Sequence, residues 1–141
     1  MSNSDNPRNG AVFQTQVAQW FTEHYKKQFI LEKKIPIGNP GKDHKFDIVD
    51  ADNTMAIECK RFTWTSTGNT PSAKLHSANE AAFYLSFLPD TFEKIIVMSY
   101  AKHPMKKETL AEYYYRMNYH LLGKTKVAEY NPETKEMRFL F

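Results

Sequence analysis

Asp47, Glu58 and Lys60 are the residues of this chain best suited to do chemistry. They lie in the run Lys45–Phe62, which reads K-F-D-I-V-D-A-D-N-T-M-A-I-E-C-K-R-F. Mg2+ prefers oxygen ligands and is commonly held by one or two carboxylates, with water and a substrate phosphate completing an octahedron. Asp47 and Glu58 offer the carboxylates, and the backbone carbonyl of Cys59 offers a further oxygen; Mn2+ can substitute for Mg2+. A cation held this way polarises a scissile phosphate, lowers the pKa of a bound water and orients in-line attack. Lys60 can position or deprotonate that water, or offset charge growing on the phosphate. An ordinary hairpin with an exposed cross-strand salt bridge, worth about 0–1 kcal/mol, also accounts for these residue types.

Two extended runs must position them. Lys45–Asp50 and Thr54–Phe62 flank Asp50-Ala51-Asp52-Asn53, which has the composition of a turn. Strand side chains alternate faces, so Glu58 and Lys60 share one face while Met55, Ile57 and Cys59 share the other. The same rule places Phe46 and Ile48 together and Asp47 with Val49. Pairing the two apolar sets inward lets Asp47 approach Glu58 and Lys60. Cys59 faces the core in this arrangement, as packing rather than as a nucleophile. Asp50 and Asp52 lack the Gly and terminal Glu offsets of a calcium-binding loop and read as turn residues.

The succession of a helix, an extended segment, this hairpin, a second helix and another apolar strand resembles the PD-(D/E)xK nuclease superfamily. The resemblance rests on Asp47, Glu58, Cys59 and Lys60, preceded by Gly38-Asn39-Pro40-Gly41 and by Phe46. The Pro usual before the Asp is missing. Gly10-Ala11-Val12-Phe13-Gln14 looks like the G-x-x-x-E opening of archaeal Holliday junction resolvases and several restriction-type nucleases, with Gln14 in place of the metal-site Glu. A neutral amide can hold a metal-bound water but adds no charge, which puts a second metal in doubt. The resemblance covers most of the chain. It implies an α/β fold with a restriction-endonuclease-like αβββαβ core, a mixed central sheet flanked by helices, and here a C-terminal helix and β-hairpin in addition.

The chain of 141 residues is long enough for one core. Residues 1–9 read as a flexible N-terminus and 10–141 as a single domain. Apolar residues make up 41% and aromatics 14%, a globular composition. No apolar run is long enough to span a bilayer and no signal-peptide pattern opens the chain, so a membrane location is not expected. A single cysteine excludes an intramolecular disulfide framework and fits a reducing cytoplasm. A net charge of +3 permits nucleic-acid binding without requiring it.

Helical spacing of Phe13, Val17, Trp20, Phe21 and His24 or Tyr25 predicts a helix over 10–25. Gln14 lies beside its apolar stripe, and Glu23 reads as solvated. A strand is expected over 29–37, with Pro36 at its exit. Gly38–His44 reads as a loop that could bring Lys42, His44 and Lys45 to a phosphate backbone, or simply as a solvated turn. Arg61 and the polar run 63–72 follow over the surface. A second helix over 72–88 would bury Leu75, Ala78, Ala82, Leu85 and Phe83, and presents Lys74, His76 and Asn79 near the site, with Lys74 favoured as a phosphate contact. Residues 94–100 read as a strand buried on both faces. A third helix over 106–122 carries Tyr113, Tyr114, Tyr115, Met117, Tyr119 and His120. Its tyrosines suit either base stacking or a homodimer interface. Residues 126–130 and 136–141 form a last hairpin.

These readings give three alternatives. The chain is a Mg2+-dependent DNA endonuclease, with Asp47 and Glu58 binding metal, Lys60 assisting the attacking water and Gln14 supporting the site. It is a catalytically lapsed nucleic-acid-binding or assembly module on the same fold, which the Gln14 substitution favours. Or it is an interaction protein using its tyrosine-rich helix, which leaves the triplet unexplained.

Overall fold

The order of elements explains the layering of this fold. In a computed structural model describing residues 7–140, helix α1 (Pro7–Tyr25) is followed by strands β1 (Phe29–Ile37), β2 (Lys42–Asp50) and β3 (Met55–Lys60). Then come α2 (Ser72–Ser86), β4 (Glu93–Ser99), α3 (Leu110–Asn118), a 3₁₀ turn over Tyr119–Leu121, β5 (Lys126–Asn131) and β6 (Glu136–Phe139). The six strands form one sheet in the order β1-β2-β3-β4-β5-β6. β1, β2 and β3 pair antiparallel, β3, β4 and β5 parallel, and β5 and β6 antiparallel. The described residues therefore form an α/β fold with a mixed open sheet and three α-helices.

Both parallel connections, through α2 and through α3, step along the sheet in the same direction. Right-handed crossovers then place both helices on one face. The core reflects this. Leu75, Ala78 and Leu85 of α2 and Leu110, Ala111 and Tyr114 of α3 pack with Val49, Ala56, Ile96, Met98 and Val127. The opposite face needs a cover, and α1 supplies it with Phe13, Val17, Ala18 and Phe21 against Ile48, Met55, Ile57, Ile95, Val97, Ala128 and Tyr130. Burying each large apolar side chain there contributes about 1.5–3 kcal/mol. β4 is buried from Lys94 to Ser99, as a strand covered on both sides must be, and its one buried charged side chain, Lys94, donates to the Leu88 carbonyl at 2.7 Å.

Several boundaries differ from the sequence expectation. α1 begins at Pro7, so residues 7–9 of the expected flexible terminus are helical; residues 1–6 lie outside the described residues. Proline suits a first helical turn because its missing N–H would be unpaired there anyway. α3 begins at Leu110 rather than 106. Thr109 caps it, its hydroxyl accepting from the Glu112 N–H while the Glu112 carboxylate accepts from the Thr109 N–H. Phe83, expected in the core, is 61% exposed on α2. The tyrosines of α3 divide between roles. Tyr114 is fully buried and donates to Asn79 Oδ1 at 2.8 Å, Tyr113 packs edge-on against Trp64, and Tyr119 is exposed. Asn79, a candidate near the site, instead ties α2 to α3, accepting from Tyr114 and donating its amide to Asn118 at 3.1 Å. Among the described residues no helix is long and apolar enough to cross a membrane.

Candidate functional site

Asp47 sits where β2 is irregular. The β1–β2 register runs from Leu31–Ile48 to Lys33–Phe46, skipping Glu32 and Asp47, and Glu32 adopts a left-handed backbone conformation with φ of 52°. Such a φ is uncommon for a residue other than glycine. Alternation along β2 breaks at this point. Phe46 and Val49 belong to the core under α2 and α3, while Ile48 belongs to the core under α1. The expectation that Phe46 and Ile48 share a face is therefore corrected: the Glu32 kink turns β2 over between them.

The consequence for Asp47 is direct. The β2–β3 ladder pairs Val49 with Ala56 and Ile48 with Ile57 and goes no further. In place of the next pair, Asp47 Oδ2 accepts the backbone N–H of Cys59 at 2.8 Å. A strand residue's N–H and C=O point to the same neighbouring strand, so the Cys59 carbonyl faces the gap that Asp47 occupies. The Cys59 thiol packs against the α1-side core, and burial together with the Asp47 and Glu58 carboxylates pushes it well above the usual thiol range. That suits packing, as the alternation predicts.

Glu58, in line with Ala56 on the α2 side, is 7% exposed. Burial, then a hydrogen bond with Asp47 and the Asp47 charge, pushes its carboxyl up to about 9, against a smaller opposing pull from Lys60. The Asp47 carboxylate thus stands beside the buried Glu58 carboxyl. Lys60 makes no hydrogen bond or ion pair among the described residues, so the cross-strand salt bridge of an ordinary hairpin does not form. Two carboxylates crowded together, rather than a carboxylate on a lysine, is the arrangement a cation would relieve.

His44, expected on a loop facing phosphate, points into this site instead. The loop between β1 and β2 is confined to the turn at Gly38–Gly41, and Lys42, His44 and Lys45 all lie on β2. The His44 ring stacks on Tyr84 of α2 at 3.9 Å between centroids and meets the edge of Phe46. Its Nε2 lies 3.7 Å from Glu58 Oε1. That is too long for a hydrogen bond. Burial lowers the His44 pKa, with Asp47 and Glu80 pulling the other way. A neutral imidazole beside a protonated carboxyl is not an ion pair, and His44 acts as a wall of the site. Lys42 and Lys45 are exposed, with Lys45 3.8 Å from Glu32.

The remaining candidates are dispersed. Gln14 is half-buried on α1, the helix on the other side of the sheet from Glu58, and makes no hydrogen bond among the described residues. Lys74 is half-buried in the first turn of α2, and His76 is exposed. Arg61, the residue after β3, lines a cleft on the α1 side together with Val12 and Gln16. Of the residues predicted from sequence, the structure brings together Asp47, Glu58, Cys59 and His44, with Lys60 next along the strand.

Compared with protein-family models, with curated proteins and with solved structures, the chain matches none.

A residue not singled out from the sequence holds the strand exit in place. His103 is 4% exposed; its Nε2 contacts the Gly68 carbonyl at 2.8 Å, and its Nδ1 accepts the N–H groups of Met105 and Lys106 at 2.9 Å. Those acceptances fix the proton on Nε2, which donates to Gly68. Trp64 Nε1 donates to the Ala101 carbonyl at 3.0 Å, and the Ser99 hydroxyl bridges the Phe62 N–H and carbonyl at 3.1 and 3.0 Å. The chain leaving β3 is thereby tied to the chain leaving β4. No sequence pattern marks His103, because its partners are backbone groups brought near only by the fold.

The donor set suits a hard divalent cation. Among the described residues no group of three His, Cys, Asp or Glu gathers for a metal. Two carboxylates and a carbonyl, completed by water and phosphate, are what Mg2+ commonly takes. A softer metal would favour nitrogen and sulfur, but the His44 ring is stacked on Tyr84 and the Cys59 thiol packs in the α1-side core.

Proposed function

We propose that the chain is a Mg2+-dependent DNA endonuclease of the PD-(D/E)xK type. The observation that carries this is the placing of Asp47 beside Glu58, with the Cys59 N–H bonded to Asp47 and Lys60 making no ion pair among the described residues. The succession α1, β1, β2, β3, α2, β4 has the order of the αβββαβ core, and α3, β5 and β6 follow it. Asp47, Glu58 and the Cys59 carbonyl would hold Mg2+, with Mn2+ as a substitute. The cation would supply polarisation of the phosphate and activation of water. Lys60 offsets the charge that grows on the phosphate as attack proceeds, from a position where it makes no ion pair among the described residues. His44, locked on Tyr84, shields the Glu58 side. One small domain carries one such site, so cutting both strands of a duplex takes two copies or two encounters. The exposed Tyr119, Met117 and Leu121 beside α3 offer a surface for a homodimer.

The test is cleavage of supercoiled plasmid and of a four-way junction with Mg2+ and with Mn2+, beside Glu58→Ala and Lys60→Ala. Metal-dependent cutting lost in both variants supports the reading, and the better substrate tells which kind of nuclease it is. The second reading, a binding module on the same fold whose catalysis has lapsed, is favoured by Gln14 standing apart from the carboxylate pair. No cutting of either DNA, with DNA binding intact, would select it.

A further inference from the structure

A cleft of about 490 Å³ opens where the parallel strands end, on the α1 side of the sheet. Arg61 follows β3, Ser99 closes β4, Asn131 closes β5, and Lys102 and Gln16 complete its polar walls. The volume is that of a small-molecule site, ~300–1,000 Å³. Ligands of parallel sheets commonly sit outside the carboxyl ends of the strands.

Arg61 is the one basic group among the described residues with a buried polar atom left unsatisfied; Glu129 Oε2 is likewise buried without a partner, but Glu129 Oε1 already pairs with Arg138. The Arg61 Nη1 is shielded from solvent and meets no acceptor, and no other part of its guanidinium forms a hydrogen bond or ion pair among the described residues. The contrast with the other arginines whose partners are defined is plain: Arg116 pairs with Glu108 at 2.8 Å, and Arg138 with Glu129 at 2.8 Å and Glu112 at 3.2 Å. A shielded guanidinium nitrogen without an acceptor is costly, and the cost disappears when an anion arrives. The backbone carrying Arg61 is held beforehand, because the Ser99 hydroxyl pins Phe62 next to it. The lining contains one acidic residue, Glu133, which is exposed on the β5–β6 turn, against Arg61 and Lys102.

We propose that this cleft binds a phosphate group of a nucleic-acid strand, with Arg61 as its bidentate fork and Lys102 as a second cation. Planar guanidinium is suited to two parallel hydrogen bonds to phosphate oxygens. Lys60 shares the face of Glu58 while Arg61 opens toward α1, so a strand crossing the end of β3 presents one phosphate to each. The proposal rests on the chain engaging nucleic acid and not on its hydrolysing it. The phosphate comes either from a strand terminus or from within the backbone.

The experiment measures binding without metal, in EDTA, so that its outcome is separate from that of cleavage. Fluorescence anisotropy follows one short single-stranded deoxyoligonucleotide ending in hydroxyls, in a 5′-phosphate or in a 3′-phosphate. Native chain is compared with Arg61→Gln and Lys102→Gln, with circular dichroism checking the fold; Lys102 is exposed, so its variant folds even where Arg61→Gln does not. Binding should weaken by roughly tenfold in Arg61→Gln, and the salt dependence should flatten by about one phosphate contact in either variant. Loss confined to a phosphate-ended oligonucleotide assigns a terminal phosphate, and equal loss for all three assigns a backbone one. Absence of binding by the native chain overturns the proposal, as do folded variants with native affinities and salt slopes. DNA that is cut in Mg2+ without dependence on Arg61 or Lys102 leaves the nuclease and removes the cleft. Arg61-dependent binding without cutting does the reverse.

Discussion

The Asp47 carboxylate takes the backbone N–H of Cys59 at 2.8 Å, at the point where the β2–β3 ladder stops. A side chain thus replaces a ladder partner, and it carries its charge to within reach of Glu58. Removing that carboxylate undoes both effects. Asp47→Ala should abolish Mg2+ binding, followed by isothermal titration calorimetry, and should leave the Cys59 N–H without its partner at a cost of about 1–3 kcal/mol in urea unfolding. Unchanged Mg2+ affinity in the folded variant would refute the metal assignment.

Lys60 should separate binding from turnover. Its amine pairs with nothing among the described residues, so Lys60→Ala should unfold at nearly the native midpoint. Cleavage should fall by about 10²–10³, the usual effect of removing one charge-stabilising donor. Mg2+ affinity should hold or rise, since a positive neighbour of the carboxylates is gone. Native cleavage rates in this variant would remove Lys60 from the reaction.

Glu58 predicts an unusual pH dependence in the absence of metal. Its carboxyl, ordinarily near 4.5, is raised to about 9 in the folded chain. Between those values the folded state holds a proton that the unfolded state has lost. Stability from this group is therefore full below 4.5 and declines as pH rises towards 9. Glu58→Gln should flatten the decline in urea titrations across that window. Mg2+ requires the ionised carboxylate, so its affinity should climb with pH over the same window and binding should release protons. A pH-independent affinity there would contradict the raised Glu58 carboxyl.

Asp50 predicts the opposite slope. Burial alone would raise its carboxyl, but hydrogen bonds from the Thr54 hydroxyl, Lys27 and the backbone N–H groups of Met55 and Thr54 hold it down to about 2. The Lys27 bond measures 2.9 Å, and the backbone bonds 2.8 and 2.7 Å. Stability from Asp50 is full above its ordinary value of 3.8 and is lost as pH falls towards 2. Asp50→Ala should cost about 3–5 kcal/mol at neutral pH, because it strands a half-buried lysine and the turn's N–H groups. A loss below about 1 kcal/mol in urea unfolding would show that water replaces the carboxylate at that turn.

Two positions with positive φ should respond in opposite senses. Lys26 closes α1 with φ of 54°, its N–H donating to the Thr22 carbonyl at 2.9 Å. Lys26→Gly removes the left-handed penalty of about 1–2 kcal/mol, less some loss of unfolded-state restraint, and should raise the melting temperature by a few degrees. Gly68 has φ of 83°, and a Cβ there would lie 3.1 Å from His103 Nε2. Gly68→Ala should lower the melting temperature and loosen the 61–71 segment in hydrogen exchange. Equal shifts of one sign in calorimetry would contradict the backbone argument.

The face-sharing of Glu58 with Lys60 was legible from period two, because β3 is regular through both residues. The same rule misplaces Phe46 relative to Ile48, because the kink that separates them arises at Glu32 on the neighbouring strand, where no glycine announces a left-handed residue. Gly38–Gly41 marked the turn correctly but not its length. Lys42 and His44 pair with β1 because Ile37 and Ile35 lie opposite, a long-range preference that the polar composition of the segment conceals. The start of α3 was readable in Thr109 and Glu112, whose spacing is that of a capping box. His103 and the unsatisfied Arg61 were not readable, since both are defined by what surrounds them in space.

The strands stand in the sheet in the order in which they occur along the chain. No strand has to wait for a later one to be inserted between it and its neighbour. A growing chain can therefore lay down β1, β2 and β3 as a meander and complete the Asp47–Glu58 pair before β4 exists. The antiparallel pairings of this meander close short loops and form early, whereas the parallel pairings with β4 and β5 span longer connections and come more slowly. The meander's outer edge at β3 then stays open until α2 and β4 arrive, and that interval is when the half-built sheet is most exposed to pairing with another chain.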